Sequence, residues 1–233
     1  MKRFMQGALL AILVLLMGAM TAMAQDAGFK DIAGVEQENA IIVACDQQLM
    51  NGVDQAQFMP EGQLTRAQLA VVLQRTFELS GKDVALPEGM YADVAADSWY
   101  AEAARACAAN GVFAYAAEFG ADEAVPRSEL AVCVQQAFAV RQINIPMTMQ
   151  YPLFEDTEDL TSQELMAVIF VNNTGIMPSA DGYFRPDEAV TRAELAQTLL
   201  QIVELTAVTE DNDEVCKLSP GRSLVISLPA NAR

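Results

Sequence analysis

Apolar residues recur three and four positions apart along several stretches of this chain, the spacing of helices that bury one face. Leu69, Val72 and Leu73, continued by Thr76 and Phe77, form one such stripe, and Ala103, Ala104, Cys107 and Ala108 form another that stops at Asn110-Gly111. The pattern predicts paired helices. The first of each pair falls near 40–50, through the alanines ahead of Asn110, and near 163–173; the second falls at 66–79, 127–140 and 192–205. Gly81 to Gly89, with Pro87, and Asn144 to Pro152, with Pro146, break the pattern and read as linkers. After an acidic run at Glu210, Asp211, Asp213 and Glu214, a Pro220-Gly221 turn leads into a short stretch at 223–228 with strand character. A single strand cannot stand alone, so it docks on the helices or is disordered.

The helix starts repeat. Leu64-Thr65-Arg66-Ala67-Gln68-Leu69-Ala70 returns as Val125-Pro126-Arg127-Ser128-Glu129-Leu130-Ala131 and as Val190-Thr191-Arg192-Ala193-Glu194-Leu195-Ala196. Eight residues ahead of each arginine stands a phenylalanine, in Phe58-Met59-Pro60, Phe119-Gly120-Ala121 and Phe184-Arg185-Pro186. Each copy opens on an aromatic residue, any residue and an aspartate: Phe29/Asp31, Tyr91/Asp93 and Phe154/Asp156. A period of just over sixty residues marks a repeat architecture, in which neither helix of a unit buries its stripe alone and the units share one core.

These markers resemble the S-layer homology (SLH) domain. Tyr91-Ala92-Asp93-Val94 through Trp99-Tyr100 to Asn110-Gly111-Val112 carries the first half of the family pattern. Tyr183-Phe184-Arg185-Pro186 through Val190-Thr191-Arg192-Ala193-Glu194-Leu195 carries the second half. The resemblance implies a mainly α fold, with three helix-loop-helix units packed as a pseudo-threefold spindle around a central helical bundle. It implies non-covalent attachment to cell-wall polysaccharide, often through pyruvylated sugars, or to modified peptidoglycan, without catalysis, cofactor or metal. The units are expected over 25–80, 88–143 and 151–206, with a tail over 207–233.

Lys2 and Arg3, the apolar stretch from Ala8 to Met20, and Ala22-Met23-Ala24 before Gln25 read as a secretory signal peptide over 1–24, the alternative being an uncleaved membrane anchor. Export would place the protein in the cell wall, S-layer or envelope, on the periplasmic face in a diderm host. The net charge of −17, from 14 basic and 31 acidic residues, disfavours nucleic acid and anionic lipid as general partners. Four cysteines, Cys45, Cys107, Cys133 and Cys216, allow two disulfides or buried free thiols. The absence of histidine excludes His-based triads and histidine metal sites, and Asp181-Gly182 lacks the alternating ligands of a calcium loop.

Thr65 with Gln68 and Thr191 with Glu194 have capping-box spacing, and Glu129 takes the same structural role, although Pro126 replaces the threonine ahead of it. The arginines need another reason, because a cation in the first turn opposes the helix dipole. Arg66, Arg127 and Arg192 would grip an anionic ligand at helix starts with exposed amides, with Asp31, Asp93 and Asp156 among the ligand-binding residues, or the arginines would pair with these aspartates of a neighbouring unit. Trp99 would stack on a sugar, or would be a core or groove-wall residue. A wall-binding module is the leading reading. A structural envelope protein acting through a protein partner, with degenerate glycan sites, is the alternative.

Overall fold

The computed structural model describes residues 28–81, 89–148, 150–151, 154–179 and 181–217, with side chains as far as 207. Six helices carry them: α1 (Glu38–Asp46), α2 (Arg66–Thr76), α3 (Ala101–Ala109), α4 (Arg127–Val140), α5 (Ser162–Asn173) and α6 (Arg192–Lys217). Among the described residues there is no strand, only the isolated bridges Thr65/Ala124 and Pro126/Ala189, so the fold is mainly α. The proposed signal peptide and the strand at 223–228 lie outside the described residues.

The residues divide into two packed units, 28–62 with 191–197, and 63–190 with the remainder of α6. In the first, Ile32, Ile41, Ala44, Met50 and Phe58 are buried with Leu195 and Ala196. In the second, α2 packs on α3 and α4 on α5. Phe138 links the second unit's layers, its ring lying 5.3 Å from that of Phe77 and 5.6 Å from that of Phe170.

The extended residues ahead of the long helices meet in the second unit. The Leu64 N–H donates to the Val190 carbonyl at 2.8 Å, the Val190 N–H to the Val125 carbonyl at 2.9 Å, and the Val125 N–H to the Leu64 carbonyl at 3.0 Å. This ring of three bonds closes on itself. All three residues are fully buried, so pairing one another's backbone satisfies polar groups that water cannot reach.

Helix ends follow local chemistry. Left-handed residues terminate α1 at Gln48, α2 at Glu78, α3 at Gly111, α4 at Gln142 and α5 at Gly175. The turn at Gln142 is a Schellman motif, with the Ile143 N–H reaching the Phe138 carbonyl. Because Glu78 adopts this turn, α2 ends at Thr76 rather than near Leu79. The last helix instead overruns its expected end at Leu205, since no glycine or proline stands between Arg192 and Lys217 to stop it.

Cys45, Cys107 and Cys133 are free thiols, the last two buried. Burial pushes the Cys107 thiol up to about 12 and that of Cys133 well above its ordinary value, so neither forms the reactive thiolate at neutral pH. Cys216 lies beyond the described side chains.

Candidate ligand-binding site

The opening motif and the phenylalanine loop of each repeat are one device. Phe29 packs against Phe58, Tyr91 against Phe119 and Phe154 against Phe184, with ring centroids 5.8, 5.0 and 5.8 Å apart. Two residues on, the aspartate clamps the loop backbone with both oxygens. Asp31 accepts from the Phe58 and Met59 amides at 2.9 and 2.7 Å, Asp93 from Phe119 and Gly120 at 2.6 and 2.9 Å, and Asp156 from Phe184 and Arg185 at 2.9 and 2.6 Å. The clamp holds the second residue of each loop, Met59, Gly120 or Arg185, at a φ of 59°, 65° or 59°. Only Gly120 takes that conformation without strain, and a Cβ there would meet the Glu123 carboxylate at 2.6 Å.

The clamp shifts acidity. The Phe58 amide, more than any other group, holds Asp31 below the ordinary carboxylate range. Burial works to raise Asp93, but the Phe119 and Gly120 amides and the nearby Arg66 outweigh it and leave that carboxyl lowered as well. A carboxyl more acidic when folded binds protons more weakly in the native state. Its stabilisation is therefore present above the ordinary carboxylate range and lost as pH falls through the lowered folded value. An Asp93→Asn variant is expected to lose about 1 kcal/mol at pH 7 in urea unfolding, solvent screening at this exposed carboxylate keeping the figure small, with the gap to wild type closing as pH falls through the lowered folded value. A gap that stays constant to pH 2 would remove the carboxylate from this account.

Each long helix starts on such a loop. The Arg66 and Ala67 amides of α2 donate to the Glu123 and Ala121 carbonyls, and the Arg127 and Ser128 amides of α4 to the Glu188 and Pro186 carbonyls. In the first unit the Arg192 and Ala193 amides of α6 donate to the Gly62 and Pro60 carbonyls. The first two amides at each start are thus taken by backbone rather than exposed. Thr65 and Gln68 form a reciprocal capping box, as do Thr191 and Glu194.

Glu129 departs from the capping role that its position suggested. Pro126 has no N–H to offer it, and α4 carries no side-chain cap. The carboxylate turns to α2 instead, where Oε1 and Oε2 accept from Nε and Nη2 of Arg66 at 2.8 and 3.0 Å. Nη1 of Arg66 donates to the Phe119 carbonyl at 2.8 Å and to Glu123 at 2.9 Å. Burial opposes the charge on Arg66, yet Glu129 and Glu123 overcome it and raise the guanidinium's pKa.

The other two arginines reach the matching carbonyls. Nε of Arg127 donates to Phe184 at 2.8 Å, with the guanidinium over the Phe184 ring. Nε of Arg192 donates to Phe58 at 2.8 Å and Nη2 to Asn51 at 2.7 Å, while the guanidinium carbon stands 4.4 Å from the Phe58 ring centroid. Arg192 is only 6% exposed, and burial lowers its pKa. One purpose of the arginine at each start is therefore to fasten the phenylalanine loop on which that helix begins.

Trp99 stands apart from these buried contacts at 67% exposure. Its ring meets Tyr100 edge-on at 5.4 Å, and Tyr100 stacks on Phe119 at 5.8 Å, the residue whose carbonyl Arg66 holds. The indole thus stands at the solvent end of an aromatic ladder that runs through Tyr100 to buried Phe119. Beside the ladder lies a cavity of about 90 Å³ lined by Arg66, Tyr91, Phe113, Glu118, Phe119 and Glu129 among others. The Tyr91 hydroxyl donates to the Ala114 carbonyl, and burial raises its pKa to about 12, so it stays a neutral donor. Glu123 and Glu118 escaped the sequence reading because they lie outside the repeated motif. Pro126 was the signal that Glu129 would be released from its own helix.

The S-layer homology domain model matches residues 28–70 and 167–196, which include the Asp31 clamp and the start of α2 in one segment and the start of α6 in the other. The chain therefore carries S-layer homology domain sequence in these two segments. SLH domains are binding modules rather than catalysts, and they generally attach proteins non-covalently to the cell wall, so their carriers are usually surface or envelope proteins. A search of curated proteins finds no match to this SLH chain. Among the described residues no helix is long and apolar enough to cross a membrane.

Proposed function

We propose that this SLH protein is exported and holds to a cell-wall glycan, with Trp99 as the face on which a sugar ring stacks. The observation that carries the reading is the exposure of the chain's sole tryptophan on a ladder of Tyr100 and Phe119. Asp93 positions the Phe119 loop on which Tyr100 stacks. Pyruvylated secondary polymer and modified peptidoglycan are both wall ligands of the class the family binds.

The test is co-sedimentation of the exported chain with purified sacculi, before and after acid removal of secondary polymer. Wild type is expected to pellet, and Trp99→Ala to bind about tenfold more weakly, since stacking on an aromatic face contributes on the order of 1–1.5 kcal/mol. The thermal midpoint should be unchanged because the side chain is exposed. Loss of binding with the polymer assigns the pyruvylated ligand; survival assigns peptidoglycan. A folded wild type that stays in the supernatant would overturn wall binding in favour of an envelope-protein partner.

A further inference from the structure

The three repeat arginines are engaged inside the fold. Arg66 is forked onto Glu129, Arg192 is buried, and each of the three, Arg127 included, holds the carbonyl of a phenylalanine loop. The loop of the third repeat carries a further cation. Phe184 is fully buried, while the residues on either side of it face solvent, with Tyr183 at 41% exposure and the Arg185 side chain at 47%. The Asp156 clamp fixes the backbone here through the Phe184 and Arg185 amides. Both side chains are oriented as well. The Tyr183 hydroxyl donates to Glu155, and Nη2 of Arg185 donates to Asp181, whose other oxygen accepts from the Tyr183 amide at 3.3 Å. Asp181 takes only one of the five N–H donors of Arg185, and Glu188, 3.9 Å from Nε, lies beyond hydrogen-bond reach. The Arg185–Asp181 pair is exposed on both sides, the kind of ion pair that a competing carboxylate displaces at little cost. The shared loop geometry turns this position outward: Met59 in the first repeat has the same φ of 59° as Arg185 and is 48% exposed, while the second repeat has Gly120. A left-handed backbone disfavours arginine, so the clamp holds this guanidinium outward against backbone strain.

We infer that Tyr183 and Arg185 form a glycan contact of their own, in which the tyrosine ring receives the face of a sugar and the guanidinium grips an acidic substituent on it. An aromatic ring offers an apolar face to a sugar, and a guanidinium with open donors takes a carboxylate through parallel hydrogen bonds. The inference rests on the reading that this protein holds a wall glycan, and it selects the acidic class of ligand. Arg185 is the specificity-determining residue. Its clamp and its φ are shared with the matching loop positions of the other repeats, but methionine and glycine there bring no charge.

The experiment titrates the full exported chain by calorimetry with a methyl glucoside carrying a 4,6-pyruvate ketal, and with the methyl ester of the same ketal. Wild type should bind the acid on the order of tenfold more tightly than the ester, because only the acid forms the charge-assisted contact. Arg185→Gln should bind the two alike, with an unchanged thermal midpoint because the side chain is exposed. Trp99→Ala should keep the full acid preference, since the indole takes no part in this contact. Should Arg185→Gln prove unfolded by circular dichroism, Arg185→Gly carries the test: glycine adopts the left-handed backbone without strain, as Gly120 does, and removes the cation. A wild type with no acid preference overturns the inference, as does a folded Arg185→Gln or Arg185→Gly that keeps it. Sedimentation with sacculi reports separately on wall binding. A pelleting wild type whose acid preference survives loss of Arg185 leaves that reading standing and sinks this one.

Discussion

Phe119→Ala is expected to lower the unfolding free energy by about 3–5 kcal/mol, measured as a fall in the urea midpoint with unchanged slope. The ring is 1% exposed and meets Tyr91, Tyr100 and Phe113 at centroid distances of 5.0, 5.8 and 5.6 Å. Removing it leaves a cavity enclosed by three aromatic neighbours that cannot collapse without moving the Asp93 clamp and the start of α2. The cost therefore belongs at the upper end of the range for buried aromatic truncation. Because Arg66 holds the backbone carbonyl rather than the ring, Phe119→Leu should recover most of the loss. A Phe119→Ala deficit under 1.5 kcal/mol would mean that the ladder is loosely packed.

Arg192→Ala should cost about 3 kcal/mol in the same assay. The substitution strands the buried Phe58 carbonyl, a loss of about 1–3 kcal/mol, leaves the Asn51 carbonyl to water, and removes a cation–π contact worth on the order of 1 kcal/mol. Relief of desolvating a buried charge offsets part of this, which is why the sum is not larger. Arg192→Lys separates charge from geometry. Lysine keeps the charge but cannot present two donors in a fixed fork, so it should recover less than half of the loss. Full recovery by lysine would show that charge alone fastens the loop.

Both predictions concern residues whose importance was visible in the repeat while their partners were not. The period placed Phe58, Phe119 and Phe184 eight residues ahead of Arg66, Arg127 and Arg192. Nothing local says that Arg66 crosses to the Phe119 carbonyl of the next repeat, because that bond spans 53 residues. The aspartates were legible as a recurring motif and were read as ligand groups or arginine partners. Their carboxylates hold amides 26 to 29 residues away. The left-handed loop residue was legible only in repeat two, where glycine occupies it; Met59 and Arg185 conceal the same conformation behind side chains that disfavour it.

The sequence by itself determined where the helices begin, the capping boxes at Thr65 and Thr191, the stop at Asn110-Gly111 and the resemblance to the SLH domain, because each rests on residues within one turn or one repeat of each other. Tertiary structure decided which loop carbonyls the arginines hold, which donors of Arg66 are taken, and that Trp99 faces solvent. Those outcomes depend on which buried backbone groups must be paired across repeats. That requirement is set by burial, and burial exists only once the helices have packed.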